Sequence, residues 1–549
     1  LKILIARYWN SFSFIGLVFA VLFFAASLTP SLLPRHFAVQ GVLSGFALAI
    51  GYMVGLLLLW GWLFLELPQP KAKLETLSKR LTVIVVLLVS LLFTWQATQW
   101  QNSIRVRMEM EPVPSAEPIY CVGIAVLVAL VIIVLTRGLI RLGAVISRQL
   151  NRFLPRRISA AISTVLVVAL TLFIANGVVA RALLDAADGF FSHADELIDE
   201  GIEQPTAAIA SGGPDSLIDW ETIGRRGKDF IAAGPTQKSI SAQTGRVAID
   251  PIRVYVGMRS EETVEARAKL ALEELKRVRG FERSTLIIAT PTGTGWLDPG
   301  AVDTVEYLHG GDTAIVTTQY SYLPSWITIL IDPSRSMRSA QALFDEVYGY
   351  WKTLPKTERP RLYVQGLSLG SLGSEATPDL LTTFEDPIQG AVWSGPPFPS
   401  RQWAAIVRNR NPGSPEWLPT FRDQAMVRFT GQENALDDDK RWGPIRNVYI
   451  QHASDPMVWF SPNLAWHPPA WLKEPRGPDV SPSLRWYPII TFLQVAFDLP
   501  MATSVPIGYG HNYSPSSYID AWIAVTQPEG WNDERIKELK TFFKSDETQ

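Results

Sequence analysis

The 549 residues include a single cysteine, Cys121, and six histidines. One thiol forms neither an intramolecular disulfide nor a thiolate metal cage, so cysteine usage assigns no redox compartment. Net charge is equally scant: 50 Lys and Arg stand against 52 Asp and Glu, a formal balance of −2. That leaves no basic surplus of the kind that signals a nucleic-acid partner. Charge is also missing locally, from several long stretches in the first 182 residues, whereas the remainder is a mixed sequence punctuated by proline and glycine. A chain of this length exceeds one ordinary domain. The contrast places the main boundary near residue 182, giving a helical domain over 1–182, a connection over 183–250 and a globular domain over 251–549.

Five apolar windows, near 11–29, 39–65, 81–98, 118–136 and 158–180, contain no Asp, Glu, Lys, Arg or His. Each is close to the roughly 20 helical residues that cross a bilayer core of about 30 Å. Charged groups inside spans mark ion paths and proton relays, so their absence argues against a pump and for helices that anchor and pack. Lys2 and Arg7 precede the first window, Lys71, Lys73, Lys79 and Arg80 follow the second, and six arginines from Arg137 to Arg157 follow the fourth. The alternate loops hold Arg35, and then Arg105 with Arg107. The excess of basic residues on one side predicts a cytoplasmic N-terminus and, after five spans, a globular domain on the outer face. Trp60, Trp62, Trp95 and Trp100 near window ends fit interfacial anchors.

The globular part alternates strand-like and helix-like segments. "IRVYVGM" (252–258), "STLIIAT" (284–290), "TAIVTTQY" (313–320), "RLYVQ" (361–365), "IQGAVWSG" (388–395) and "RNVYIQHAS" (446–454) are rich in β-branched and aromatic residues. Residues 262–278 and 339–354 carry helical spacing and composition. The alternation predicts an α/β fold with a mostly parallel sheet, helices on both faces and ligands beyond the carboxyl ends of the strands.

One strand runs straight into a serine bracketed by glycines: "RLYVQGLSLGS" places Gly366 and Gly370 two residues either side of Ser368. A G-x-S-x-G after a strand is the pattern of a nucleophile elbow, where only small neighbours fit the tight turn. The same pattern also serves as an ordinary turn. A serine hydroxyl needs a base and an acid to orient it, and in the Ser, acid, His order of such folds the base must be His452, His467 or His511. Asp455 follows a strand directly, though Asp-Pro also starts turns. His511 sits in the glycine-flanked loop "VPIGYGHNYS", His452 within the expected strand, and His467 in the stiff "AWHPPAW". Ser368, Asp455 and His511 are therefore the expected nucleophile, orienting acid and general base.

The oxyanion of an acyl-transfer intermediate needs backbone donors. Leu369, after the nucleophile, is one; Thr294 or Gly295 in "PTGTGW" (291–296) is the other. As a phosphate loop that run fails, lacking G-K-[ST] and the G-x-G-x-x-G spacing. Trp296, Tyr320, Tyr322, Trp393 and Trp459 crowd strand ends and are expected to line an apolar pocket suited to an acyl chain or a sugar ring, or to belong to the core.

"TPTGTGW", "GDTAIVTTQYSYLPSW", "RPRLYVQGLSLGS" and, near the first helix, "SLTPSLLPR" (27–35) closely resemble a bacterial alpha/beta-hydrolase family whose members join an N-terminal multi-helix membrane domain to a C-terminal hydrolase domain. The resemblance spans nearly the whole chain. It implies an alpha/beta-hydrolase fold with Ser368 as nucleophile, in a bacterial cytoplasmic membrane. Many lipases carry a His-Gly pair at the oxyanion loop, which "PTGTGW" replaces here. The combined expectation is a membrane-anchored serine hydrolase cleaving an ester or thioester of a lipid or lipid-linked acyl group, with no metal or organic cofactor implied. An acyltransferase using the same triad and a non-catalytic lipid-handling or scaffold protein stand beside it as alternatives.

Overall fold

Short runs of β-branched residues, buried on both faces, build the central sheet of the computed structural model, which describes residues 11–68, 72–173, 180–377, 386–436, 440–473 and 475–546. The strands are β1 (Ile252–Val256), β2 (Thr285–Thr290), β3 (Thr313–Thr318), β4 (Arg361–Leu367), β5 (Gly390–Ser394), β6 (Val427–Thr430) and β7 (Arg446–Ile450). They form one seven-stranded sheet in the order β1-β3-β2-β4-β5-β7-β6, with every pairing parallel. Every residue of β2 and β3 is buried, as unbroken "TLIIAT" and "TAIVTT" runs require when helices cover both faces. Helices such as Val264–Arg277, Pro299–Leu308 and Ser334–Thr353 supply the crossovers that parallel neighbours need.

The register aligns the functional edge. Thr290 lies opposite Gly366, Leu367 opposite Ser394, and Ser394 opposite Ile450. The carboxyl ends of β2, β4, β5 and β7 therefore finish level, and the loops after them meet at one rim. β6 was not expected, because Arg428 interrupts "VRFT". Its guanidinium is nonetheless buried, donating to the carbonyls of Gln424 (3.1 Å) and Leu436 (2.9 Å) and lying 4.1 Å from the Trp442 ring centre.

The helical region contains α1 (Phe14–Ser27), α2 (Phe37–Phe64), α3 (Ala72–Arg105), α4 (Pro118–Leu150) and α5 (Arg156–Leu172). Among the described residues three helices are long and apolar enough to cross a membrane: Phe37–Phe64, Glu75–Met108 and Pro118–Leu150. The expectation of five full spans is thereby reduced. α1 has 14 residues, about 21 Å at 1.5 Å per residue and short of a core of about 30 Å. The last window extends past α5 into 174–179, which lie outside the described residues. α2 packs through two small-residue faces. A Cβ on Gly41 or Gly45 would come within 2.7 Å of Ile124 or 2.6 Å of Val128 on α4, and one on Gly51 or Gly55 within 2.6 Å of the Phe19 carbonyl or 2.7 Å of the Ile15 carbonyl on α1. These are the small-xxx-small contacts by which helices associate where water supplies no hydrophobic drive. Elsewhere the helices present apolar side chains outward, including Leu57, Trp60, Leu91, Trp95 and Leu127.

The chain divides into two compact units. One comprises Leu1–Asp185, Phe460–Leu472 and Pro478–Met501; the other comprises Ala186–Trp459, Lys473–Gly477 and Ala502–Gln549. By compactness, two segments from the part after residue 251 group with the helical unit. In the second of them, α6 (Ile490–Asp498) buries Ile490 and Leu493 against Leu43 and Ala47 of α2.

Candidate active site

Ser368 is the residue between β4 and the helix Leu369–Glu375, and its backbone has φ 58° and ψ −123°. A non-glycine residue there is strained by about 1–3 kcal/mol, a state that persists only where the surroundings impose it. The surroundings do so by close packing. A Cβ at Gly366 would lie 2.2 Å from the Gly370 carbonyl carbon, and one at Gly370 would lie 2.0 Å from the Thr290 carbonyl oxygen. The two glycines of the motif are therefore steric requirements: the turn folds onto itself and against the end of β2. The Ser368 N–H donates to the Ser394 carbonyl at 2.9 Å. Its Oγ is buried and has no hydrogen-bond partner.

Asp455 and His511, 56 residues apart, are joined by a hydrogen bond of 2.6 Å from Nδ1 to Oδ2. Because a carboxylate accepts, Nδ1 carries a proton, and in the neutral ring the lone pair then sits on Nε2, as a general base requires. That Nε2 is buried and has no partner. The imidazole lies against Gly395, where a Cβ would fall 2.5 Å from Cε1 at a φ of 52° that favours glycine in any case. Gly395 adjoins Ser394, the acceptor of the Ser368 N–H, so the ring stands at the rim of β4 and β5. The direct Ser368 Oγ to His511 Nε2 bond is not formed; in substrate-free sites such bonds are often long and tighten on binding.

Several supporting residues carried no recognisable signal. The Tyr513 hydroxyl donates to Asp455 Oδ2 at 2.7 Å, and the Met457 N–H donates to Oδ1 at 2.8 Å. Burial, reinforced by Asp455, holds the Tyr513 phenol well above its ordinary value, so it acts as a donor at every physiological pH. β7 ends at Ile450, so His452 lies in a loop rather than in the expected strand. Its ring stacks on Tyr513 at 4.4 Å and its Nδ1 donates to the Gly510 carbonyl at 2.9 Å. Gly510 in turn donates its N–H to Ser454 Oγ at 2.9 Å. The loop carrying His511 is thus stitched to the loop carrying Asp455. His467 is exposed in the segment assigned to the helical unit and takes no part.

Leu369 N–H makes no hydrogen bond, and its carbonyl accepts from Ser336 Oγ at 2.5 Å. In the 291–296 loop the N–H groups of Thr292 and Gly295 bond to the carbonyls of Trp296 and Thr292, and that of Gly293 bonds to Ser325 Oγ. This corrects the expectation for Gly295: its N–H closes the turn, leaving Thr294 as the donor not already engaged. Tyr255 and Tyr320 brace the loop, donating their hydroxyls to the carbonyls of Gly295 (2.8 Å) and Pro291 (3.1 Å).

Of the five residues expected at a pocket, three are enclosed by their neighbours. Trp393 packs on Tyr449 with ring centres 4.9 Å apart and donates Nε1 to Ser374 Oγ; Trp459 packs on Trp403 and donates Nε1 to the His452 carbonyl. Both are core, as is the loop-bracing Tyr320. Trp296 and Tyr322 are half-buried at the rim.

Residues 252–539 match the model of an alpha/beta-hydrolase family, and residues 28–235 match the model of an alpha/beta-hydrolase family N-terminus. No curated protein and no solved structure matches the chain. The first match covers more than half of the sequence and contains the sheet, the strained serine and the Asp455–His511 pair. By that match, and by the second one ahead of it, the chain belongs to the alpha/beta-hydrolase family.

Proposed function

We propose that the protein is a membrane-anchored serine hydrolase that cleaves an ester or thioester of a lipid or lipid-linked acyl group. The observation that supports this best is the set of two bare, buried atoms at one rim: Oγ of a strained serine, and Nε2 of a histidine whose other nitrogen is tied to a carboxylate. Ser368 Oγ attacks the carbonyl carbon while its proton passes to His511 Nε2, and Asp455 stabilises the imidazolium. The N–H groups of Leu369 and Thr294 receive the oxyanion. Collapse expels the alcohol or thiol, which takes the proton from His511. Water then attacks the acyl-serine, giving a proton to His511, and collapse breaks the acyl C–O bond as His511 returns that proton to Ser368 Oγ and the acid is released.

Three long apolar helices support anchoring, and the half-buried Trp296 and Tyr322 suit an apolar acyl chain. With α1 and the 158–180 window crossing beside the three long helices, the arrangement of basic residues favours a cytoplasmic N-terminus and a hydrolase unit on the outer side of a bacterial membrane; with the three long helices alone it favours the reverse. The test is hydrolysis of short- and long-chain acyl esters by the full chain in detergent, with Ser368→Ala and His511→Ala as controls. Activity lost in both variants supports the reading, and activity retained in Ser368→Ala refutes it. Products formed with an added acceptor alcohol separate hydrolysis from acyl transfer.

A further inference from the structure

The run "SLTPSLLPR" at 27–35 belongs neither to the sheet nor to the triad. It connects α1 to α2, and Ser27, Thr29, Ser31 and Arg35 within it are buried. Arg35 forms an ion pair of 2.8 Å with Asp498, at the end of α6, and neither side chain is exposed at all. The same guanidinium donates to the Gln494 carbonyl at 2.9 Å and to Gln40 Oε1 at 3.2 Å. Ser31 Oγ donates to the second Asp498 oxygen, and Gln494 Nε2 donates to the Thr29 carbonyl at 2.8 Å. An ion pair that deeply buried is a poor source of stability compared with apolar packing, but breaking one partner leaves a stranded charge, so it enforces a single arrangement.

What it arranges is set by the path of the chain. Segments 460–472 and 478–501, which join the helical unit, both fall between Asp455 and His511. Four residues after Asp498, the Ala502 carbonyl accepts the N–H of His511 itself at 2.8 Å. Beside it, Asn512 Nδ2 donates to the carbonyls of Thr503 (2.9 Å) and Val505 (2.6 Å). The residues that follow α6 are therefore one support of the histidine loop, beside the bonds that tie Gly510 to His452 and Ser454. We infer that Arg35, through Asp498, is a positioning residue for His511.

The inference rests on the hydrolase reading, and the experiment separates their failures. The full chain in detergent is reacted with a fluorophosphonate, and both the amplitude and the rate constant of Ser368 modification are recorded for the unaltered protein, Arg35→Gln, Arg35→Lys and Ser31→Ala. Ser31→Ala keeps the ion pair and so guards against misfolding of the harsher variant. A displaced base slows the chemistry in molecules that are otherwise folded. The rate constant in Arg35→Gln is expected to fall about tenfold or more at full amplitude, with a smaller fall in Ser31→Ala and partial recovery in Arg35→Lys. A reduced amplitude with an unchanged rate constant, in either Arg35→Gln or Ser31→Ala, means Arg35 only holds the fold and overturns the inference. No reaction in the unaltered protein would instead remove the hydrolase reading and this inference together.

Discussion

Replacing the nucleophile should make the protein more stable. Ser368 carries two costs in the folded state: a backbone at φ 58° and ψ −123°, and a buried hydroxyl without a partner. Leaving a buried hydroxyl unpaired costs about 1–3 kcal/mol, and Ser368→Ala removes that cost while keeping the strain. Ser368→Gly removes the strain as well, because that region is the mirror image of an extended well open to glycine. The strain amounts to about 1–3 kcal/mol, against which glycine's extra freedom in the unfolded chain returns about 0.5–1 kcal/mol. The expected order is glycine above alanine above serine, with about 1–2 kcal/mol per step. For a domain of this size each kcal/mol moves the midpoint by about 2–4 °C, so thermal scans followed by tryptophan fluorescence resolve the series. The transition compared must be that of the hydrolase unit, since a two-unit chain need not unfold in one step. Midpoints of both variants at or below that of the unaltered protein would show that the elbow stores no cost for the sake of chemistry.

Other outcomes follow from the same geometry. Gly370→Ala, whose Cβ would lie 2.0 Å from the Thr290 carbonyl, should destabilise by more than about 3 kcal/mol and abolish esterase activity; a folded, active variant would refute the steric argument. Asp455→Asn should lower kcat by about 10⁴, the scale found when a triad acid loses its charge, with little change in KM. Tyr513→Phe removes a donor from Asp455 Oδ2 and loosens the carboxylate that orients the His511 ring, so kcat should fall with KM little changed; an unchanged kcat would deny Tyr513 that role. Glu375 is buried, which pushes its carboxyl up to about 7, although Tyr449 and the N–H groups of Gln402 and Trp403 donate to it. A raised acid favours folding while protonated, so its contribution is complete below about 4.5 and is lost as pH climbs to about 7. Glu375→Gln should flatten stability across that window, and an unchanged slope in denaturant titrations would contradict this.

Much of the site could be read in advance because its signals are local. A β-branched run ending in glycine, serine and glycine declares both strand and turn, and Asp455 was reached by asking which acid follows a strand. Order along the chain leaves His452, His467 and His511, the glycine-flanked loop favours His511, and the structure brings that residue within 2.6 Å of Asp455. What escaped depends on contacts distant in sequence. Tyr513 looks like any aromatic until its hydroxyl meets Asp455, and Trp393 and Trp459 look like pocket walls until their edges meet Ser374 and His452. Gly295 was misassigned because sequence marks a flexible turn without showing which N–H closes it. β6 was hidden by an arginine that its own neighbours satisfy. The departure of 478–501 to the helical unit was hidden because α6 has the composition of any buried helix, and only Asp498 opposite Arg35 betrays its partner.

The most direct trial of the catalytic claim is to treat the 549-residue chain with a fluorophosphonate and map the adduct by peptide mass spectrometry. One adduct, on Ser368, lost in Ser368→Ala and formed far more slowly in His511→Ala, is the result expected of a serine activated by that histidine. An adduct that persists in Ser368→Ala, or a Ser368 that reacts equally fast without His511, would contradict it.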